Sequence, residues 1–371
     1  MESALPKSPP VEDGSTFAPA ENSWGKRLKV LLGIVVSVGC LYYSLRSVIH
    51  QPEQRAQFVG AIRNANYQFL LPMTVLLLVF YWMKAVRWRW LLSPLGDFRP
   101  LRDLFPPILI GFAWNNLLPA HLGEFMRMHV FSRETGVPRA AALSSIVTER
   151  VFDIIAIVCL FAVGNLLHAP TSSQPTEAVT PSESPAAAAP NAVSAARQQS
   201  LIAAAAAGVL IVGSLIFVVW TAPVLRLIHW TLRTCRIPER LSGRVLELLT
   251  TAGQGLSALR NPRTMIAVIG ISLIKWLFNG ALIYLALVAY KVAVTPSEAF
   301  ILLGVVALGV TIPCTPGYFG VIQVCFTAVL GNGPAVVAAS FFYQLAQYIP
   351  VTALGLYFYY RAEAAVPKTV A

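Results

Sequence analysis

Residues 114–153 read WNNLLPAHLGEFMRMHVFSRETGVPRAAALSSIVTERVFD, and they place polar and helix-breaking residues in a sequence otherwise suited to lipid. The apolar run before this point ends at Pro119, which has no N–H and a fixed φ, and Gly123, which tolerates positive φ, follows it. Irregular backbone at membrane depth survives only where it is buried in protein or lines a watery cavity. The stretch therefore predicts a re-entrant element, in which an apolar helix enters the membrane, breaks and returns.

The composition predicts an all-α polytopic integral membrane protein. Of the 371 residues, 56% are hydrophobic and 12% are charged, whereas a soluble domain has about 25% charged residues. The net charge is +11, but in a membrane protein Lys and Arg mark the loops that stay in the cytoplasm. We therefore expect no nucleic-acid partner. The five cysteines include no CxxC pair, and the order His121, Glu124, His129 lacks HExxH spacing. We expect no disulfide framework, metal or cofactor.

Apolar windows of about 20 residues, the length that spans a bilayer, predict about six crossings: 28–49, 68–90, 140–168, 201–221, 264–290 and 335–360. Three shorter windows predict two re-entrant broken hairpins: 104–118, 299–313 and 318–331. The alternative for the last two windows is that each crosses the membrane, but the repeated pattern described below favours the hairpin. Basic residues concentrate at Lys26–Lys29, Lys84–Arg102 and 222–263, which places these segments and both termini in the cytoplasm. The tryptophans near Lys84, including Trp88, predict an interfacial aromatic belt there.

The sequence divides into two transmembrane halves. We expect a disordered cytoplasmic tail (1–27), a first repeat (28–168), a disordered extracytoplasmic Pro/Ala/Ser/Thr linker (169–200), a second repeat (201–361) with a basic cytoplasmic loop (222–263), and a cytoplasmic tail (362–371).

The two halves repeat one pattern. Leu118-Pro119-x-x-x-Gly123-x-Phe125 recurs as Ile312-Pro313-x-x-x-Gly317-x-Phe319, and a Gly/Pro turn follows each before a long apolar helix. Because the first half would begin inside and the second outside, the pattern predicts an inverted repeat of the kind found in transporters.

Charged residues in the apolar helices are the first candidates for a site. The helix after the first break carries Glu149, Arg150 and Asp153, although each charge near a bilayer centre costs roughly 2.5–3.5 kcal/mol on insertion scales. Glu149 and Asp153 share a helix face, and Arg150 can pair with Asp153. Lys275, near the middle of its helix, needs Glu149, Asp153, Glu124 or an anionic ligand. These residues either contact a headgroup or form a structural, self-neutralising cluster.

Further candidates flank the two breaks, where free backbone N–H groups suit phosphate or carboxylate. A buried amide on the last helix could bond between helices or line a path. These candidates are Asn116, Pro119, Gly123, Glu124 and Arg127 at the first break, Pro313, Pro316, Gly317, Gly320 and Gln323 at the second, and Gln344 on the last helix.

Three local motifs resemble those of the lysylphosphatidylglycerol synthase transmembrane region, or flippase-like, family. The motif N-x-L-P-x-x-x-G-E-x-x-R lies at 116–127, E-R-x-x-D at 149–153, and P-x-x-P-G-x-x-G at 313–320. The resemblance implies translocation of a lipid or lipid-linked headgroup between leaflets of a bacterial inner membrane. Family members that also make the lipid carry a cytoplasmic aminoacyltransferase domain, which we do not expect here. Where such proteins often have Arg in the penultimate helix motif, this sequence has Gln344.

The sequence leaves three functions open. The first is a lipid transporter whose partner is a lipid with a polar or anionic headgroup. The second is an integral-membrane transferase, or an accessory subunit of one, acting with envelope-lipid synthesis enzymes. The third is a structural partner in an envelope assembly. No Ser/His/Asp set, P-loop or GxGxxG motif is present, so we expect a non-enzyme.

Overall fold

The computed structural model describes residues 23–118, 122–167, 261–310 and 316–364, and those residues contain ten α-helices and no strand. Pro119, Pro313, the 169–200 linker and nearly all of the basic loop lie outside the described residues. The helices are α1 (Ser23–His50), α2 (Pro52–Arg63), α3 (Leu70–Leu92), α4 (Phe105–Leu117), α5 (Gly123–Thr135), α6 (Arg139–Leu167), α7 (Pro262–Ala289), α8 (Pro296–Gly309), α9 (Val321–Leu330) and α10 (Pro334–Ala364).

Eight of these helices coincide with the apolar windows of the sequence; the window at 201–221 lies outside the described residues. The helices α2 and α5 were not predicted, because neither has a continuous apolar run. Within the described residues, Tyr67–Leu92 and Pro262–Ala289 are long and apolar enough to cross a membrane. The number of crossings and the re-entrant geometry stay predictions.

Local signals explain where the helices begin and end. Thr295 and Glu298 form a reciprocal capping box at the start of α8, with Pro296 at the first helical position. Gly136 ends α5 with φ +73°, a conformation that glycine adopts without a Cβ penalty. The long helix α6 begins three residues later, at Arg139, so this turn joins the short helix after the first break to the long helix.

The helices α3–α6 and α7–α10 follow the same order: long helix, short helix, break, short helix, long helix. Across the two halves, α4 packs mainly on α10, α8 packs on α6, and α3 packs on α7. Each broken segment is thus held against the long helix of the other half. Asn116 and Gly317, which flank the two breaks, line a common interior bounded by α3, α6, α7 and α10.

Glycine permits the closest approaches around the first break. A Cβ built on Gly123 would collide with the carbonyl oxygen of Gly111, and a Cβ on Gly355 would collide with that of Leu109. The first contact folds α5 back against α4, and the second seats α10 against α4. Asn115 completes the turn, because its Oδ1 accepts a hydrogen bond from the Gly123 N–H at 2.8 Å.

Candidate functional site

A cluster of buried charged side chains joins α3, α5, α6 and α7. All six are at most 4% exposed, so each pairing forms out of contact with bulk water. Buried charges are tolerated when they are paired and hydrogen-bonded. Among the described residues, the charge cluster comprises Lys84, Arg87, Arg127, Glu149, Asp153 and Lys275.

Glu149 is the first centre of the charge cluster. Its Oε1 lies 2.8 Å from Arg87 Nη2 and 3.2 Å from Lys84 Nζ. Its Oε2 accepts from Arg127 Nη2 at 2.8 Å, while the Arg127 guanidinium stacks 3.8 Å from the centre of the Trp88 ring. One carboxylate on α6 therefore ties together α3 and the helix that follows the first break.

Asp153, one turn further along α6, is the second centre. Arg87 reaches it with both terminal nitrogens, at 2.6 and 3.2 Å, and Lys275 Nζ lies 2.5 Å from its Oδ1. Trp276 donates its indole N–H to the same oxygen at 3.1 Å. Arg87 also donates to Ser272 Oγ at 2.7 Å, so α7 is attached to the cluster at three points.

The contacts confirm part of the sequence interpretation and correct part of it. Glu149 and Asp153 do share one face of α6, since Arg87 forms ion pairs with both, and Asp153 is the partner of Lys275. The expected pairing of Arg150 with Asp153 is wrong. Arg150 pairs with Glu124 instead, because its position on α6 turns it toward the first break.

Lys84 and Arg87 are site residues that the sequence interpretation did not single out. It assigned both to a cytoplasmic segment and Trp88 to an interfacial belt, whereas all three are buried. Trp88 donates its N–H to Ser145 Oγ at 2.9 Å inside the protein. Lys84, Arg87, Trp88 and Leu91 continue the inward face of α3 at helical spacing. This helical spacing is the sequence signal that could have identified Lys84 and Arg87 as inward-facing.

A cavity of about 490 Å³ lies beside the charge cluster, between the two breaks. Aromatic and aliphatic side chains form much of its wall, including Phe80, Phe112 and Trp276. Lys84, Asp153 and Lys275 contribute the charged side chains that belong to the cluster. The sequence-predicted residues that line the cavity are Asn116, Glu124, Arg150, Asp153, Lys275, Gly317 and Gln344.

The other sequence-predicted site residues lie behind the cavity wall. Arg127 and Glu149 are buried against each other, and Gly123 forms the α4–α5 turn. Gly320 has φ +91° and donates its N–H to Gln323 Oε1 at 2.7 Å. These residues shape the cavity without lining it. Pro316 begins a helical turn, Pro316–Tyr318, at the described edge of the second break.

Hydrogen bonds between neutral side-chain amides connect the segments beside the second break. Gln323 donates to Gln344 Oε1 at 2.7 Å, and Gln344 donates to the Gly317 carbonyl at 2.6 Å. Asn279 accepts from the Tyr343 hydroxyl at 3.0 Å, on the cavity wall. The cavity therefore has a charged side, built from α3, α6 and α7, and an amide side near α9 and α10.

Part of the sequence is similar to two known proteins. Over 112 residues, 29% of this chain, the sequence is 26% identical to the UPF0104 membrane protein MJ1595 of Methanocaldococcus jannaschii. Over 138 residues, 37% of this chain, it is 24% identical to the glycosyltransferase AglD of Haloferax volcanii. The matched regions span 33% and 21% of those relatives' own lengths. No solved structure matches the chain.

The family expected from the three motifs is confirmed. The sequence model described as the lysylphosphatidylglycerol synthase TM region matches residues 30–355, which includes both breaks, the charge cluster and the cavity. The chain is a membrane protein that belongs to the lysylphosphatidylglycerol synthase TM region family.

Proposed function

We propose that the protein moves a phospholipid or lipid-linked headgroup between the leaflets of the bacterial inner membrane. The observation that carries this proposal is the cavity beside a buried charge cluster, lined by residues from both breaks. A passage for a headgroup needs polar groups at membrane depth, and intramembrane charges mark such passages. The apolar remainder of the wall suits the adjoining part of a lipid.

The repeated helix order supports an inverted repeat with about six crossings and two re-entrant hairpins. In such a repeat, each broken hairpin opens to a different side, and both termini lie in the cytoplasm. The headgroup enters from the inner leaflet beside Arg150 and Glu124. It is held at Asp153 and Lys275 and leaves past Gly317.

Lipid transfer in reconstituted vesicles tests this function. The test variant is Arg150→Ala, because Arg150 lines the cavity and its side chain is 42% exposed, which limits the folding cost. Arg133→Ala is the matched control, since Arg133 also forms an Arg–Glu pair, with Glu363, but away from the cavity. We expect transfer to fall at least about tenfold in Arg150→Ala, the equivalent of one charge-assisted hydrogen bond, and to persist in Arg133→Ala.

Glu149→Gln extends the test to the charge cluster, with the rate expressed per folded monomer after gel filtration. Wild-type transfer in both Arg150→Ala and Glu149→Gln would remove these residues from the mechanism. A wild-type protein that transfers no lipid in vesicles would refute the transporter function itself.

A second function is favoured by the similarity to a glycosyltransferase. In this alternative, the protein is an integral-membrane transferase, or an accessory subunit of one, for lipid-linked glycans. Turnover of a sugar donor by the purified protein alone would support the transferase. If turnover appears only after a partner enzyme is added, the accessory role is favoured.

A further inference from the structure

The charges buried around the cavity do not cancel. Among the described residues, the charge cluster holds four basic side chains and two carboxylates, a formal excess of two positive charges. The nearby Arg150–Glu124 pair is neutral as a whole and leaves this excess unchanged. An uncompensated charge away from water is costly, so the cavity is suited to an anion that supplies the missing negative charge.

The two lysines of the cluster are placed to contact such an anion. Each ammonium has three donors, whereas the carboxylate contacts in the described structure are Glu149 at 3.2 Å for Lys84 and Asp153 at 2.5 Å for Lys275. Both lysines line the cavity. Lys84 also lies 4.4 Å from the centre of the Phe112 ring, which is itself part of the cavity wall.

Each carboxylate of the cluster, by contrast, already contacts more than one cation. Glu149 contacts three cations, and Asp153 contacts Arg87, Lys275 and the Trp276 N–H. A cationic headgroup would therefore meet excess positive charge without a spare carboxylate in the cluster. An anionic phosphate would meet two lysines.

The second half of the molecule does not restore the balance. In the first half, the helix after the break pairs Arg127 with Glu149, 22 positions along the chain. In the second half, the corresponding helices α9 and α10 are joined by Gln323 and Gln344, which lie 21 positions apart. The equivalent contact is uncharged, so it adds no carboxylate that would offset the positive excess.

We propose that the cavity selects a lipid whose phosphate carries two negative charges, a phosphomonoester or a diphosphate, over phosphodiester, zwitterionic and cationic lipids. This rests on the proposed function and names its substrate class. A phosphomonoester carries about −1.5 to −2 charges at pH 7, which matches the formal excess of two in the charge cluster that Lys84 and Lys275 present to the cavity.

Thermal unfolding of the full chain in detergent tests the selection with defined lipids. The probes are phosphatidic acid, a phosphomonoester, and phosphatidylglycerol, a phosphodiester with the same acyl chains; lysylphosphatidylglycerol is the cationic probe. A ligand that binds the folded state raises Tm. We expect the largest rise with phosphatidic acid, a smaller one with phosphatidylglycerol and none with lysylphosphatidylglycerol. Equal rises, or a preference for the cationic lipid, would overturn the proposal.

Lysine variants test whether phosphatidic acid binds at the charge cluster. Lys275→Gln and Lys84→Gln should each weaken phosphatidic acid binding at least about tenfold, the worth of one hydrogen bond to a charged group. Lys275→Arg, which keeps the charge, should retain more affinity than Lys275→Gln. Arg263→Gln is the control, because Arg263 is exposed at the start of α7. A preference for phosphatidic acid that survives both lysine substitutions would contradict the assignment.

Two further measurements separate the ligand source from the transport function. Inorganic phosphate that raises Tm as much as phosphatidic acid would show that a soluble anion, not a lipid, is the ligand, and would overturn the lipid class. Transfer of lysylphosphatidylglycerol or a zwitterionic lipid in vesicles, faster than phosphatidic acid, would overturn the selection while leaving the transporter function intact. Lysine-dependent binding of phosphatidic acid without transfer of any lipid would keep the selection and refute transport.

Discussion

Replacing Glu149 with glutamine removes the charge that holds three cations together. The carboxylate contacts Arg87 and Arg127 at 2.8 Å and Lys84 at 3.2 Å, all of them buried. The substitution raises the buried excess from two positive charges to three. Removing one partner of a buried ion pair typically costs about 3–5 kcal/mol, and we expect Glu149→Gln to lower the free energy of unfolding by that amount.

The matched control is Glu363→Gln, which makes the same chemical change in an exposed pair. Glu363 contacts Arg133 at 2.8 Å, the same length as the shorter Glu149 contacts, but its side chain is 46% exposed. Exposed pairs contribute about 0–1 kcal/mol, so the control should be nearly neutral. Unfolding by SDS in mixed micelles, followed by tryptophan fluorescence, measures both variants. Equal stability losses in the two variants would refute the structural role of the charge cluster.

Other predictions use the same unfolding assay. Gly123→Ala should destabilise the α4–α5 turn because its Cβ has no room, whereas Gly270→Ala, with open space around it, should gain about 0.5–1 kcal/mol from helix propensity; equal effects would contradict the close approach. Trp88→Phe should cost about 0.5–1.5 kcal/mol by removing the 2.9 Å bond to Ser145, and a neutral result would place Trp88 at the surface. Arg87→Lys should cost about 1.5–3 kcal/mol, because an ammonium cannot keep the bidentate contact; wild-type stability would show that charge alone suffices.

Much of the fold could be predicted from the sequence because each apolar run marks a helix. The Pro119–Gly123 and Pro313–Gly317 spacings marked both breaks, and the shared face of Glu149 and Asp153 followed from helical periodicity. The helices α2 and α5 could not be predicted in the same way, because neither has a continuous apolar run.

The partners of the charged residues were harder to predict. Lys84 and Arg87 lie in a basic segment, and a linear count of basic residues assigns such segments to the cytoplasm. The structure instead buries them against α6, a contact that depends on three-dimensional packing. Arg150 was paired with Asp153 by spacing alone, but Asp153 is already held by Arg87 and Lys275.

The proposed function depends most on one cavity that serves both leaflets. In a protein whose five native cysteines are replaced, Gln347→Cys places a thiol on the half-buried cavity wall of α10, and Leu345→Cys places one on its exposed outer face. Only a hydrated thiol ionises and reacts readily. We predict that membrane-impermeant thiol reagents label Gln347→Cys from either side of the membrane, that phosphatidic acid slows this labelling, and that Leu345→Cys stays unreactive. Labelling of Gln347→Cys from one side only, with and without lipid, would contradict the account.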